Sequence, residues 1–198
     1  MGSLTASWPM VLWPILALAV ALAASIVLPT TASAATVGPR LPGTGADVTG
    51  AGTVSWTAPG NVTADDTSYS TALLNSSGAA QSHYLRATGY GFTLPTDAII
   101  DGITVTINRA ATLTGSGHRI RDAVVSLLKG GSVTGGNLGA TGTNWPTSMS
   151  AQTYGGAANL WGGTWSAADI NSPTFGVELS ALTDTAANNT ASVDYLSI

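Results

Sequence analysis

The chain has 198 residues, no cysteine, 24 glycines and a formal net charge of -4; only 8% of its residues are charged, against about 25% in ordinary globular domains. Its six basic residues, Arg40, Arg86, Arg109, Arg119, Arg121 and Lys129, form no extended cationic patch, which excludes nucleic acid as a partner. The lack of cysteine excludes disulfides, thiol catalysis and cysteine-based zinc sites.

A surface so poor in charge must be covered by Thr, Ser, Asn, Gly and Ala. Such faces can meet one another without desolvating ions, which suits a secreted or assembled β protein.

The chain opens on a different material. "VLWPILALAVALAASIVL" (11–28) is almost wholly apolar, and "TASAA" (31–35) follows with Ala32 and Ala34 at signal-peptidase spacing. Residues 1–34 therefore read as a signal peptide cleaved after Ala34. No Lys or Arg precedes the apolar run, and the run is as long as a short membrane span. An uncleaved N-terminal segment is thus the second reading, and the one route to a membrane. Residues 35–53 are rich in Gly, Pro and Thr without periodicity, and read as a flexible arm or linker.

From residue 54 the punctuation is that of β structure. "VSW" (54–56) reads as a short strand, and "SHYLRATGYGFTL" (82–94) as a longer one closed by Pro95. In "GITVTINRA" (102–110), Ile103, Val105 and Ile107 share one face and Thr104, Thr106 and Asn108 the other. "RDAVVSLLKGG" (121–131), "TFGVELSA" (174–181) and "ASVDYLSI" (191–198) complete the clear strands. "NLGATG" and "MSAQTYG" hide weaker ones in the Gly-rich region 130–163. The one helical signal is "SAADIN", where Ser166 and Asp169 match a capping box and Pro173 stops the turn at 166–171.

Short strands and Gly-rich turns in one 54–198 domain predict an all-β fold: an antiparallel two-sheet sandwich, jelly-roll-like first and immunoglobulin-like second. The sequence ends on the apolar "YLSI". The final strand is thus either fully paired, or it borders a gap that a neighbour's strand fills.

The chemistry-bearing residues are few. There is no "GxSxG", and His83 and His118 read as surface or satisfied histidines. Asp65 and Asp66 are adjacent, so on an extended strand they point to opposite faces, which defeats a paired-carboxylate glycosidase. No enzyme and no cofactor is expected. Asp65 and Asp66 are the candidate ligands of a structural calcium, weighed against ordinary turn residues bonding their own backbone. Tyr154, Trp161, Trp165 and Trp145 are the candidate ligand-binding residues, because exposed indoles and phenols stack on sugar rings. The competing reading packs them into the core, which has only two Phe to fill it. For self-assembly the candidates are Val37, Leu41 and Val48 in the arm, with Tyr195 and Ile198 on the last strand.

The blocks "WTAPGN" (56–61), "GYGFTLP" (89–95), "IIDGITVTINRA" (99–110), "VSLLKGG" (125–131), "YGG" (154–156), "LWGGTWSAADIN" (160–171), "FGVEL" (175–179) and "VDYLSI" (193–198) occur in this order. Together the set resembles a family of mostly uncharacterised, jelly-roll-like β-sandwich domains of bacterial exported proteins and phage structural proteins. The resemblance spans residues 54–198. It implies a secreted, cell-surface or virion-surface module without catalysis, in which the "WGGTW" block specifies a corner of the fold. The expected role is a structural subunit of a filament, layer or appendage, with copies of itself as partner. The alternative is a secreted adhesin or carbohydrate-binding module, with a glycan as partner.

Overall fold

The computed structural model describes residues 34–75, 80–115, 117–184 and 188–198. The signal peptide or anchor read from residues 1–34 lies outside them, Ala34 excepted. Ten strands and two short helical turns follow in chain order: β1 (Thr44–Val48), a 3-10 turn (Pro59–Thr63), β2 (Ser70–Leu74), β3 (Ala80–Gln81), β4 (Tyr84–Thr88), β5 (Ile103–Ala111), β6 (Ile120–Lys129), β7 (Ser132–Thr134), β8 (Ser150–Gly156), α1 (Ala167–Asn171), β9 (Gly176–Thr183) and β10 (Asn189–Ser197).

The strands form two antiparallel sheets, as the sequence predicts. One runs β1-β4-β9-β6-β7 with β3 beside β9; the other runs β2-β10-β5-β8. The pairings are nested. β2 pairs with β10, β4 with β9, β5 with β8 and β6 with β7, so successive pairs alternate between the sheets.

Side-chain alternation puts the core between the layers. Val105 and Ile107 of β5, with Val193 and Leu196 of β10 beside them, face Leu127 and Val125 of β6 and Val177 and Leu179 of β9, all fully buried. Each such aliphatic side chain contributes about 1.5–3 kcal/mol through the surface it removes from water. The helical turn forms where expected. Ser166 Oγ accepts the Asp169 N–H at 3.2 Å, and the Asp169 carboxylate accepts the Ser166 N–H at 2.8 Å.

Three local expectations are corrected and one alternative is decided. Residues 35–53 are not wholly an arm: residues 44–48 form β1, registered against β4 from Thr44–Thr88 to Val48–Tyr84. "VSW" is no strand of its own; Trp56 is buried between single bridges at Val54–Ser82 and Thr57–Thr71. Of the two alternatives for the last strand, the fully paired one holds. β10 lies between β2 and β5, and Ile198 exchanges backbone hydrogen bonds with Arg40 at 3.0 and 2.7 Å. Of the two weak strands, "MSAQTYG" covers β8 except its last residue, while "NLGATG" runs as a loop beside β6, tied by Leu138 N–H to Val125 O at 2.9 Å.

Gly176 marks the tightest approach in the central strand β9. A Cβ there would fall 2.0 Å from the Ala87 carbonyl oxygen of β4. Backbone in mid-sheet cannot move aside, so Gly176→Ala is expected to cost about 1–3 kcal/mol, read as a lower urea midpoint at unchanged slope.

Candidate functional site

The four aromatic candidates lie inside the molecule. Trp145 is 0% exposed, Trp161 1%, Tyr154 4% and Trp165 9%. A stacking platform needs open ring faces, so the sugar-platform reading of these residues is corrected. Each is held by its polar atom as well as by packing.

Trp161 and Trp165 form a corner. Trp161 Nε1 donates to Ile103 O at 2.9 Å, and its backbone N–H donates to Asn159 Oδ1 at 2.7 Å. Gly155 makes room for the ring: a Cβ there would lie 2.5 Å from Trp161 Nε1. Trp161 itself sits at φ +59, in the left-handed region, at a cost of about 1–2 kcal/mol that these bonds and its burial offset. Trp165 donates to Leu160 O at 3.0 Å and packs edge-on against Phe175, with Lys129 Nζ 5.8 Å from its ring. Lys129 also pairs with Asp169 at 2.8 Å. The lysine and the capping bonds hold that carboxyl down, at about 2.

Trp145 and Tyr154 belong to a polar knot that sequence reasoning missed. Its centre is Asp122 of β6, fully buried. The Asp122 carboxylate accepts from Trp145 Nε1 at 2.8 Å, from Tyr154 Oη at 2.8 Å and from the Ala140 N–H at 2.7 Å. Arg109 of β5 lies 3.6 Å away, and its guanidinium stands 4.9 Å over the Trp145 ring. Arg109 Nε and Nη1 have no hydrogen-bond acceptor among the described residues, so the charge is balanced by Asp122 and the indole face. Burial, and then the Asp122 charge, push the Tyr154 phenol far above its usual range. The one signal for this knot was Arg109 itself, which continues the inward series Ile103, Val105, Ile107.

The calcium candidates act as turn residues. Asp65 and Asp66 are exposed, and Asp66 Oδ1 accepts the Ser68 N–H at 2.6 Å. The Asp66 N–H donates to Asp194 Oδ1 at 3.2 Å, and Asn108 holds the other Asp194 oxygen at 3.0 Å. Burial raises the Asp194 carboxyl, and the Asp65 and Asp66 charges add to the effect. Among the described residues no three His, Asp or Glu side chains converge as a metal site. His83 forms a clasp with Asp47 at 2.8 Å; Asp47 also accepts the Trp56 N–H, and Trp56 Nε1 donates to His83 O.

No family model, curated protein or solved structure matches this chain.

The self-assembly candidates are brought together only in part: Ile198 pairs with Arg40, between Val37 and Leu41, within one chain. Val37 (47% exposed) and Leu41 (38%) lie outside the strands, Val48 is the last residue of β1, Tyr195 is in β10 and Ile198 follows it. The accessible features are of another kind. A shallow depression of about 300 Å3 lies between Tyr69, Ala110, Met149 and Ser192. Around it, the open face of the second sheet presents Thr104, Thr106, Asn108, Thr190 and Ser192. Beside that face runs β8, hydrogen-bonded on one side only.

Two measurements check the knot. Asp122→Asn leaves Arg109 buried without its counter-charge, so it is expected to cost about 3–5 kcal/mol in urea unfolding; Asp122→Asn with Arg109→Met is expected to cost less than the sum of the two single changes. The second measurement is alkaline. In the unfolded chain Tyr154 ionises near pH 10, whereas in the fold it keeps its proton well above that pH. The folded state then binds more protons, so stability present below about pH 10 is lost as pH rises beyond it. Tyr154→Phe is expected to cost about 1 kcal/mol at neutral pH and to flatten the fall in urea midpoint above about pH 10.

Proposed function

We propose that the chain is a non-catalytic structural protein of the cell surface or of a virion-type particle, a subunit that assembles through contacts between its β-sandwiches. The observation that carries this reading is the distribution of charge. No Asp, Glu, Lys, Arg or His stands between Lys129 and Asp169, a segment that supplies β7, β8 and the loops around them. The surface that this segment contributes is therefore neutral, built mainly of Gly, Ser, Thr, Ala and Asn. Such a surface approaches another protein without stripping water from ions. It is also poorly suited to keeping copies apart, since like charge is the usual means of doing so.

The nested strand pairing supports a jelly roll as the finer description of the sandwich. In that fold a long antiparallel hairpin of eight strands is wrapped so that its successive rungs fall in alternate sheets. Here the rungs are β2–β10, β4–β9, β5–β8 and β6–β7, and β1 and β3 are additions to one sheet. The same kinship with exported and virion-surface sandwiches that the ordered sequence blocks suggest is consistent with this topology. Export itself rests on the apolar segment 11–28 and the Ala32-x-Ala34 site. The carbohydrate-binding alternative loses its candidate residues to the core.

Light scattering across a concentration series tests the reading. One chain has a mass of 19.7 kDa. The expected result is a particle of several chains that dissociates on dilution; a monomer at every concentration would sink the proposal.

A further inference from the structure

We propose that β8 is a docking edge for a second copy of this chain, which adds its own β8 antiparallel across a two-fold axis at Thr153. This rests on the self-assembly reading above and names the surface and the partner.

The argument starts from hydrogen-bond direction. Along a strand, the backbone groups of alternate residues point to the same side. In β5 the Thr112 N–H reaches Thr190 O on the β10 side, while the Ala111 N–H reaches Pro146 O and the Ile103 N–H reaches Asn159 O on the β8 side. Odd-numbered residues of β5 therefore bond β8. Their partners in register are Gly156, Tyr154, Gln152 and Ser150. The backbone groups of Ala151 and Thr153 must then point away from the sheet, where no described strand meets them.

The other edges are covered, short or charged. Thr57 and Thr71 exchange backbone bonds at 2.7 and 3.1 Å along β2. β1 has five residues and carries Asp47, a charge on the edge strand itself, and the 3-10 turn packs on its face, where a Cβ on Gly45 would fall 2.0 Å from Pro59 O. β7 has three residues, and the chain beyond it hugs β6, with the Trp145 N–H bonded to Ile120 O at 2.8 Å. β8 alone is a seven-residue free edge, with no proline, no charge and no register shift against its neighbour. Those are the devices that normally keep an edge from pairing.

A second copy fits this edge because the strand is complementary to itself. With Thr153 at the axis, Thr153 faces its own equivalent, a favourable hydroxyl and methyl pair. Ala151 faces Gly155, so no bulky side chain obstructs the approach. Ala151, Thr153 and Gly155 are exposed, and no charge on either copy opposes another. The product is a continuous eight-stranded sheet, β2-β10-β5-β8 followed by the same order reversed.

The chain has no cysteine, so single-cysteine variants report the contact directly. Full-length T153C, treated with a bis-maleimide of short reach, is expected to give a covalent dimer. L73C, exposed on β2 at the far edge, is expected to give none, because the two sites lie about 34 Å apart, seven strand spacings of about 4.8 Å. In parallel, T153K should weaken association roughly tenfold or more by placing two ammonium groups together, with the melting temperature of the diluted, dissociated chain unchanged because the side chain is exposed. Assembled protein whose T153C fails to cross-link, or cross-links no better than L73C, would overturn the β8 contact and leave the self-assembly reading standing. A T153K variant that associates like the parent would do the same. Unmodified protein that is monomeric at every concentration overturns both.

Discussion

The fold depends on one buried carboxylate. Asp122 belongs to β6 in the first sheet, while Arg109 and Tyr154 stand on β5 and β8 in the second. Trp145 and the Ala140 N–H come from the loop that closes the same side. The charge therefore ties both layers and their connection to a single point. Apolar packing alone would let the two sheets slide, because aliphatic contacts are not directional. Three short hydrogen bonds onto one carboxylate are directional, and they fix how β5 and β8 face β6. A buried ion pair is no guarantee of net stability, since desolvation of both ions opposes the attraction. Its clearer consequence here is geometric: any other arrangement of the sheets strands a charge in the core.

The corner built from residues 159–171 does the same work with neutral groups. Its two indoles are locked by carbonyls of Ile103 and Leu160, and glycine at 155 lets the first ring lie flat on β8. The capped turn α1 then covers Phe175 and Trp165 with Ile170, all in one core cluster. With two Phe and four Trp among the described residues, the tryptophans are the bulk that the core needs. Their burial follows from that shortage as much as from any local rule.

The sequence made some of this legible and not the rest, for physical reasons. The alternation in 102–110 and 174–181 reads directly as half-buried strands, and Ser166 with Asp169 reads as a cap, because these signals are local. β1 is invisible because "TGADV" has no apolar alternation; as an edge strand it is held mainly by its backbone bonds to β4. Arg109 was readable as inward from its phase with Ile107. Asp122 was not, because the register shift between Asp122 and Val124 changes which residues of β6 face the core. A bulge is a property of the pair of strands, and neither sequence announces it. The exposure of Trp161 was undecidable for the same reason, since the groove that holds it is made by Gly155 and Ile103, far apart in sequence.

The scarcity of charge has a further consequence once the contacts are known. Five of the six basic residues are engaged in ion pairs: Arg86 with Glu178, Arg109 with Asp122, Arg119 and Arg121 with Asp184, and Lys129 with Asp169. The sixth, Arg40, bonds Gly91 O and lies over Phe92. Cations in this molecule fasten one segment to another; none is left to guard a surface. Edge strands in β proteins are commonly guarded by a lysine, and a chain that has committed its cations elsewhere cannot do so. It must cover its edges with its own backbone, as at β2, or leave them to pair. The neutrality of the β8 side and the absence of cover over it thus have a common origin, in a sequence that places its few charges where they hold the sandwich together.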